Sequence, residues 1–179
     1  MSTTTTPTET DSSRPSRRIN PVILDVIGLV ARLALGGVLL VAGYFKAVDF
    51  DASVRSVVAY DLFDYQVAEF IGITLPIIEI AVGAMLLLGL FTRLSGAAGT
   101  LLMIIFIVGI ASAWVRGLSI DCGCFGTGGP IDPSETRYLQ EIVRDAALAL
   151  GGLWLVIRPH SLLSVDGRLG RPAPDGRND

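Results

Sequence analysis

Cysteine and histidine are nearly missing from this chain of 179 residues, which has two Cys and one His. A structural zinc site within one chain takes about four ligands, so that class of fold is excluded. Charge is scarce as well: 17% of residues are Asp, Glu, Lys or Arg, against about 25% in a soluble globular domain. Nor is there a basic excess. With 14 Lys and Arg against 17 Asp and Glu the formal net charge is −3, so nucleic acid meets no electrostatic footprint and is excluded as a partner. What is abundant is apolar. Hydrophobic residues make up 51% of the chain and its mean hydropathy is +0.59, more than the core of a small soluble domain can bury.

The distribution of these residues predicts a topology. About 20 predominantly apolar residues cross the roughly 30 Å of bilayer hydrocarbon, and four windows qualify: Val22–Tyr44, Val67–Leu90, Ser95–Trp114 and Leu139–Ile157. None alternates as a barrel strand does. The expected fold is therefore all-α, a polytopic four-transmembrane-helix bundle over residues 21–158 with the lipid bilayer as its partner. Residues 1–20 are rich in Ser and Thr and residues 159–179 in Pro, Gly and charge, which reads as two flexible tails. Arg17 and Arg18 stand before an apolar stretch as in an export signal, but no small-residue cleavage site follows, and a retained first span is expected.

Lys and Arg are retained on the cytoplasmic side of short loops. The N-terminal tail, second loop and C-terminal tail hold eight of them, whereas the first loop (Lys46, Arg55) and third loop (Arg116, Arg137) hold four. This predicts a multi-pass protein of the plasma membrane with both termini cytoplasmic and the first and third loops outside.

The third loop contains the only two cysteines, in Asp121-Cys122-Gly123-Cys124-Phe125-Gly126. Disulfides form and persist on the oxidising outer side. Two residues apart, the cysteines can bridge, but the small ring strains the bond and makes it easier to reduce; Gly123 removes the Cβ penalty for the backbone such a ring needs. A redox pair is one reading. Shielded free thiols, half of an intermolecular metal site, or separate disulfides to a partner are the others. An intrachain metal site is not expected, because His160 falls beyond the fourth span on the opposite side.

Charges within the spans form a second group. Each costs about 2.5–3.5 kcal/mol at the bilayer centre on insertion scales and should face protein or water, paired. Counted along their helices, Arg32 and Glu79 both lie near mid-depth in sequential antiparallel spans, which predicts an Arg32–Glu79 pair. Glu141, Arg144 and Asp145 share one face near the outer end of the fourth span. These charges are either packing contacts between helices or, for the last cluster, a proton path or quinone head-group contact beside the cysteines.

Two span sequences and the cysteine loop together carry a resemblance. Residues 32–46 (RLALGGVLLVAGYFK) and 75–93 (LPIIEIAVGAMLLLGLFTR) are similar to the first- and second-helix patterns of the DoxX-like membrane proteins, and 120–126 (IDCGCFG) resembles the MauE branch, the methylamine-utilisation membrane proteins. The resemblance covers roughly residues 24–158. It implies a four-helix membrane protein linked to maturation of a disulfide-rich amine dehydrogenase, with a thioredoxin-like protein on the outer side as partner. DoxX relatives add a membrane quinone as candidate electron acceptor.

Three function classes follow. The first is a thiol-disulfide oxidoreductase component of the membrane, with Cys122 and Cys124 as the reacting pair and Asp121, Gly123, Arg32, Glu79, Glu141, Arg144 and Asp145 in support. The second is a non-catalytic assembly or anchoring subunit of a membrane redox complex. The third is a small-solute transporter with Arg32 and Glu79 at a midplane site.

Overall fold

Long apolar helices dominate the computed structural model, which describes residues 21–121, 123 and 128–158. In chain order these are α1 (Pro21–Val48), α2 (Phe50–Ala59), α3 (Tyr65–Leu88), α4 (Thr92–Val115), a hairpin of β1 (Ile120–Asp121) and β2 (Gly129–Pro130), a 3-10 turn (Pro133–Glu135) and α5 (Tyr138–Ile157). α3 continues through Pro76 and stops at Gly89, whose φ of +67° closes the helix with bonds from Gly89 N to Leu86 O and from Leu90 N to Met85 O. Both tails, and Cys122 and Cys124, lie outside the described residues.

α1, α3 and α4 are long and apolar enough to cross a membrane, with candidate spans of 27, 24 and 24 residues. At 1.5 Å per residue these reach about 36–40 Å, more than the hydrocarbon thickness. Ile23, Val30, Ile77, Leu101, Ile105 and Val108 stand exposed on them, surface that only lipid or protein can cover favourably. The chain is an all-helical membrane protein. α5 has 20 residues but holds Glu141, Arg144 and Asp145 in its first two turns.

α1 packs chiefly on α3, and α5 on α4 and α1. Small residues permit both close approaches: a Cβ on Gly83 would lie 2.8 Å from Leu40 N, and one on Gly96 3.1 Å from Leu155 Cβ. Between the pairs lies a core of Leu35, Leu39, Val82, Leu86, Leu102, Met103 and Leu155.

The first inter-span segment differs from a plain loop, because residues 50–59 form α2. Asp49 caps it, its Oδ1 accepting from Ala52 N at 2.8 Å. Its buried face carries Ser53 and Ser56, and Ser53 Oγ donates to Gly72 O at 2.7 Å, tying α2 to α3. Arg116, at the end of α4, holds the other end: its guanidinium donates to Tyr60 O at 2.5 Å and to Asp61 O at 3.2 Å.

Candidate functional site

The cysteine segment is framed by a short ladder. Ile120 pairs with Pro130 and Asp121 with Gly129, and Ile131 N donates to Ser119 O at 2.9 Å. Tyr138, at the start of α5, fixes this stem. Its hydroxyl accepts from Ile120 N at 2.9 Å and donates to Leu118 O at 2.7 Å, within a buried cluster of Ile110, Ala113, Ile120 and Tyr138. Past the hairpin, Asp132 Oδ1 accepts from both Ser134 N and Ser134 Oγ, which holds its carboxyl below the usual carboxylate range.

Two glycines of the hairpin press on α2. Gly123, between the cysteines, has φ +71°, and a Cβ there would lie 2.5 Å from Ser56 Oγ. Gly128 has φ +63°, and its Cβ would also overlap Ser56. Both positions therefore require glycine twice over, for backbone conformation and for space. Gly123 N donates to Asp121 Oδ1 at 3.3 Å, so Asp121 and Gly123, two of the residues singled out around the cysteines, are in contact.

The expected Arg32–Glu79 pairing of charges is corrected. Glu79 Oε1 accepts from Lys46 Nζ at 2.5 Å, with the side chains 0% and 7% exposed. Lys46 was counted in the first loop, but α1 runs on to Val48 and buries it. The register of α1 on α3 gives the reason: a Cβ on Gly43 would lie 3.0 Å from Glu79 Cβ, so Glu79 is level with Gly43. Arg32, eleven residues earlier, is about 16 Å away along the helix axis. Arg32 is itself buried, further toward the other end of α1. Glu79 has one ion-pair partner, Lys46, and its Oε2 has no hydrogen-bond partner among the described residues. Lys46 Nζ also lies 4.9 Å from the Phe106 ring centroid, a cation–π contact.

On α5, Arg144 Nε donates to Asp145 Oδ1 at 2.9 Å. Asp145 is buried, within electrostatic reach of Lys46, whereas Glu141 and Arg144 are half-buried. Lys46, Ser56 and α2 were not among the candidate residues. A Lys three residues after Gly43 on a helix running past its apolar window is the signal that could have found the first; the serines carry none.

Lys46 and Ser56 also line one cavity of about 390 Å³, together with Ser53, Tyr60, Leu75, Phe106, Gly109 and Ser112. Its walls are almost wholly apolar, and its exposed lining residues are Leu62 and Phe63, between α2 and α3, and Ile104, Ile105 and Val108 on α4. Ser56 thus borders the cavity and also lies against Gly123 and Gly128 of the hairpin.

The family model described as methylamine utilisation protein MauE matches residues 24–158, from the first turns of α1 to the end of α5. No curated protein and no solved structure matches the chain. The match takes in α2, the cysteine hairpin and the Lys46–Glu79 pair, and the chain belongs to the MauE family.

Proposed function

We propose that this protein exchanges disulfides on the outer side of the membrane, with Cys122 and Cys124 as one redox unit and a thioredoxin-like extracytoplasmic protein as its partner. In this reading α5 is the fourth span, both termini are cytoplasmic, and the exchange serves maturation of a disulfide-rich enzyme of the methylamine dehydrogenase kind. With Lys46 inside α1, the two outer loops hold three basic residues, Arg55, Arg116 and Arg137, which favours that orientation.

The carrying observation is Gly123. The residue between the only two cysteines has a left-handed backbone and no room for a side chain against Ser56, so the hairpin is built around a glycine that a plain surface loop does not need. Exchange itself is balanced: a partner thiolate attacks one sulfur of the Cys122–Cys124 disulfide, a mixed disulfide forms, and the second partner thiol displaces it, leaving the pair reduced. Two outcomes test the reading. A membrane-impermeant maleimide, applied to intact cells after mild reduction, should label the cysteines, and Cys122→Ser and Cys124→Ser should each leave the protein abundant while stopping disulfide formation in its client. Labelling only after lysis overturns the orientation; full client oxidation in both variants overturns the exchange and leaves the assembly-subunit reading.

A further inference from the structure

We infer that the cavity between α2 and α4 holds one acyl chain of a phospholipid whose head group is zwitterionic and carries a primary amine, as in phosphatidylethanolamine. The inference rests on the cavity and its rim and is independent of the thiol-exchange reading. The cavity measures about 390 Å³, in the range of small-ligand pockets. Its exposed lining residues are all apolar: Ile104, Ile105 and Val108 on α4, a candidate span, and Leu62 and Phe63 between α2 and α3. Bilayer hydrocarbon covers such surface favourably, so the occupant is drawn from the lipid.

The length of the wall fits one leaflet. From Ile105, in the cavity wall, to Arg116, at the end of α4, the helix rises about 16 Å, close to half of the roughly 30 Å of bilayer hydrocarbon. Trp114 near that end, and Tyr65 at the same end of α3, are both exposed, as aromatic side chains are at the head-group level. Lys46 is the only charged residue among the described lining residues, and Glu79 and the Phe106 ring already meet its charge. Ser53, Ser56 and Ser112 spend their hydroxyl protons on the backbone oxygens of Gly72, Ala52 and Gly109. An uncharged chain therefore leaves no charge uncompensated in the wall.

The rim selects the head. Leu62 and Phe63 are flanked by Asp61 and Asp64, both exposed and neither ion-paired among the described residues. Arg116 is exposed beside them, its Nη1 donating to Asp61 O at 3.2 Å. A guanidinium has five N–H groups. Ser112 and Tyr60 engage those on Nε and Nη2, which leaves one on Nη1, with the charge, for a phosphate. The two carboxylates suit a primary ammonium, which donates up to three hydrogen bonds. A quaternary ammonium has no N–H to give, and a head group of net negative charge would meet two acids and one base.

The test uses the full-length protein, delipidated in a non-ionic detergent, and phosphatidylethanolamine with a diazirine in one acyl chain. Photolabelling should saturate, map to α2 and the 104–112 stretch of α4, and be competed by unlabelled phosphatidylethanolamine. Phosphatidylglycerol and phosphatidylcholine with the same chains should need at least about tenfold more, equivalent to 1.4 kcal/mol. Asp61→Asn/Asp64→Asn should erase that preference and keep the fold. Asn tolerates the left-handed φ of +48° at Asp61, and Asp64 caps α3 without a side-chain bond. Gly109→Leu puts a side chain into the cavity beside Tyr60 and should raise the half-saturating concentration at least about tenfold. Leu101→Trp, exposed on the same helix and outside the cavity, should leave it unchanged. Labelling that does not saturate or ignores Gly109→Leu, equal competition by the three lipids, or a preference that survives in the double Asn variant overturns the inference. If Gly109→Leu fails to insert, the double Asn variant, which leaves the packing untouched, decides alone.

Discussion

Removing the positive charge of Lys46 while keeping its length, as in Lys46→Met, should expose the energetics of the bundle most clearly. Lys46 Nζ and Glu79 Oε1 are 2.5 Å apart, with side chains 7% and 0% exposed, and at an effective dielectric constant near 20 the gross attraction is about 6–7 kcal/mol. Desolvation of both groups offsets much of this in the intact pair. It is not recovered when one partner goes, and buried pairs broken that way typically lose about 3–5 kcal/mol. Equilibrium unfolding in mixed micelles should show a loss of that size for Lys46→Met. Glu79→Leu alone should cost a similar amount, and the double variant should lose clearly less than the sum, with a coupling of at least about 2 kcal/mol. Paired with Glu79→Leu in the same way, Arg32→Leu should show a coupling below about 0.5 kcal/mol, the limit for independent sites. Additivity between Lys46 and Glu79, or a single-variant loss below about 1 kcal/mol, would refute the reasoning.

Three further outcomes are expected around the hairpin. Gly123→Ala forces a left-handed alanine, about 1–2 kcal/mol, and adds the overlap with Ser56; amide exchange at Ile131 should accelerate, and Ser56→Gly should restore only the steric part. Tyr138→Phe leaves the buried Ile120 N–H without its acceptor, which should cost about 1–3 kcal/mol and speed exchange at that amide. Asp132, its carboxyl held low by Ser134, should keep its turn intact above the usual carboxylate pKa and lose it as pH falls through the lower folded value; an NMR titration of the Ser134 amide should have its midpoint below 3.8, moving up in Ser134→Ala.

The long helices were legible because lipid-facing helices are apolar on nearly every side, and the windows of the three membrane-capable helices fall within a few residues of α1, α3 and α4. α2 was not, because its buried face is serine: Ser53 and Ser56 are buried through bonds to backbone carbonyls, and a search for apolar periodicity passes over them. Its cap, Asp49 before Ala52, was the one local signal. The ion pair was misread for a different reason. Counting depth from window ends matched Arg32 with Glu79, but helix register is set by backbone contact, and the closeness of Gly43 to Glu79 places Lys46 a single turn away. The cavity depends on how α2 sits over α3 and α4, which no single-chain pattern encodes.

Trapping of a mixed disulfide in cells tests the central claim most directly. With Cys122→Ser and Cys124→Ser expressed separately, and free thiols alkylated at lysis, one of the two variants should accumulate a reducible adduct with an extracytoplasmic protein of thioredoxin type, absent from the double variant. No adduct from either single variant, with the protein present at normal level and its remaining cysteine reactive, would contradict it.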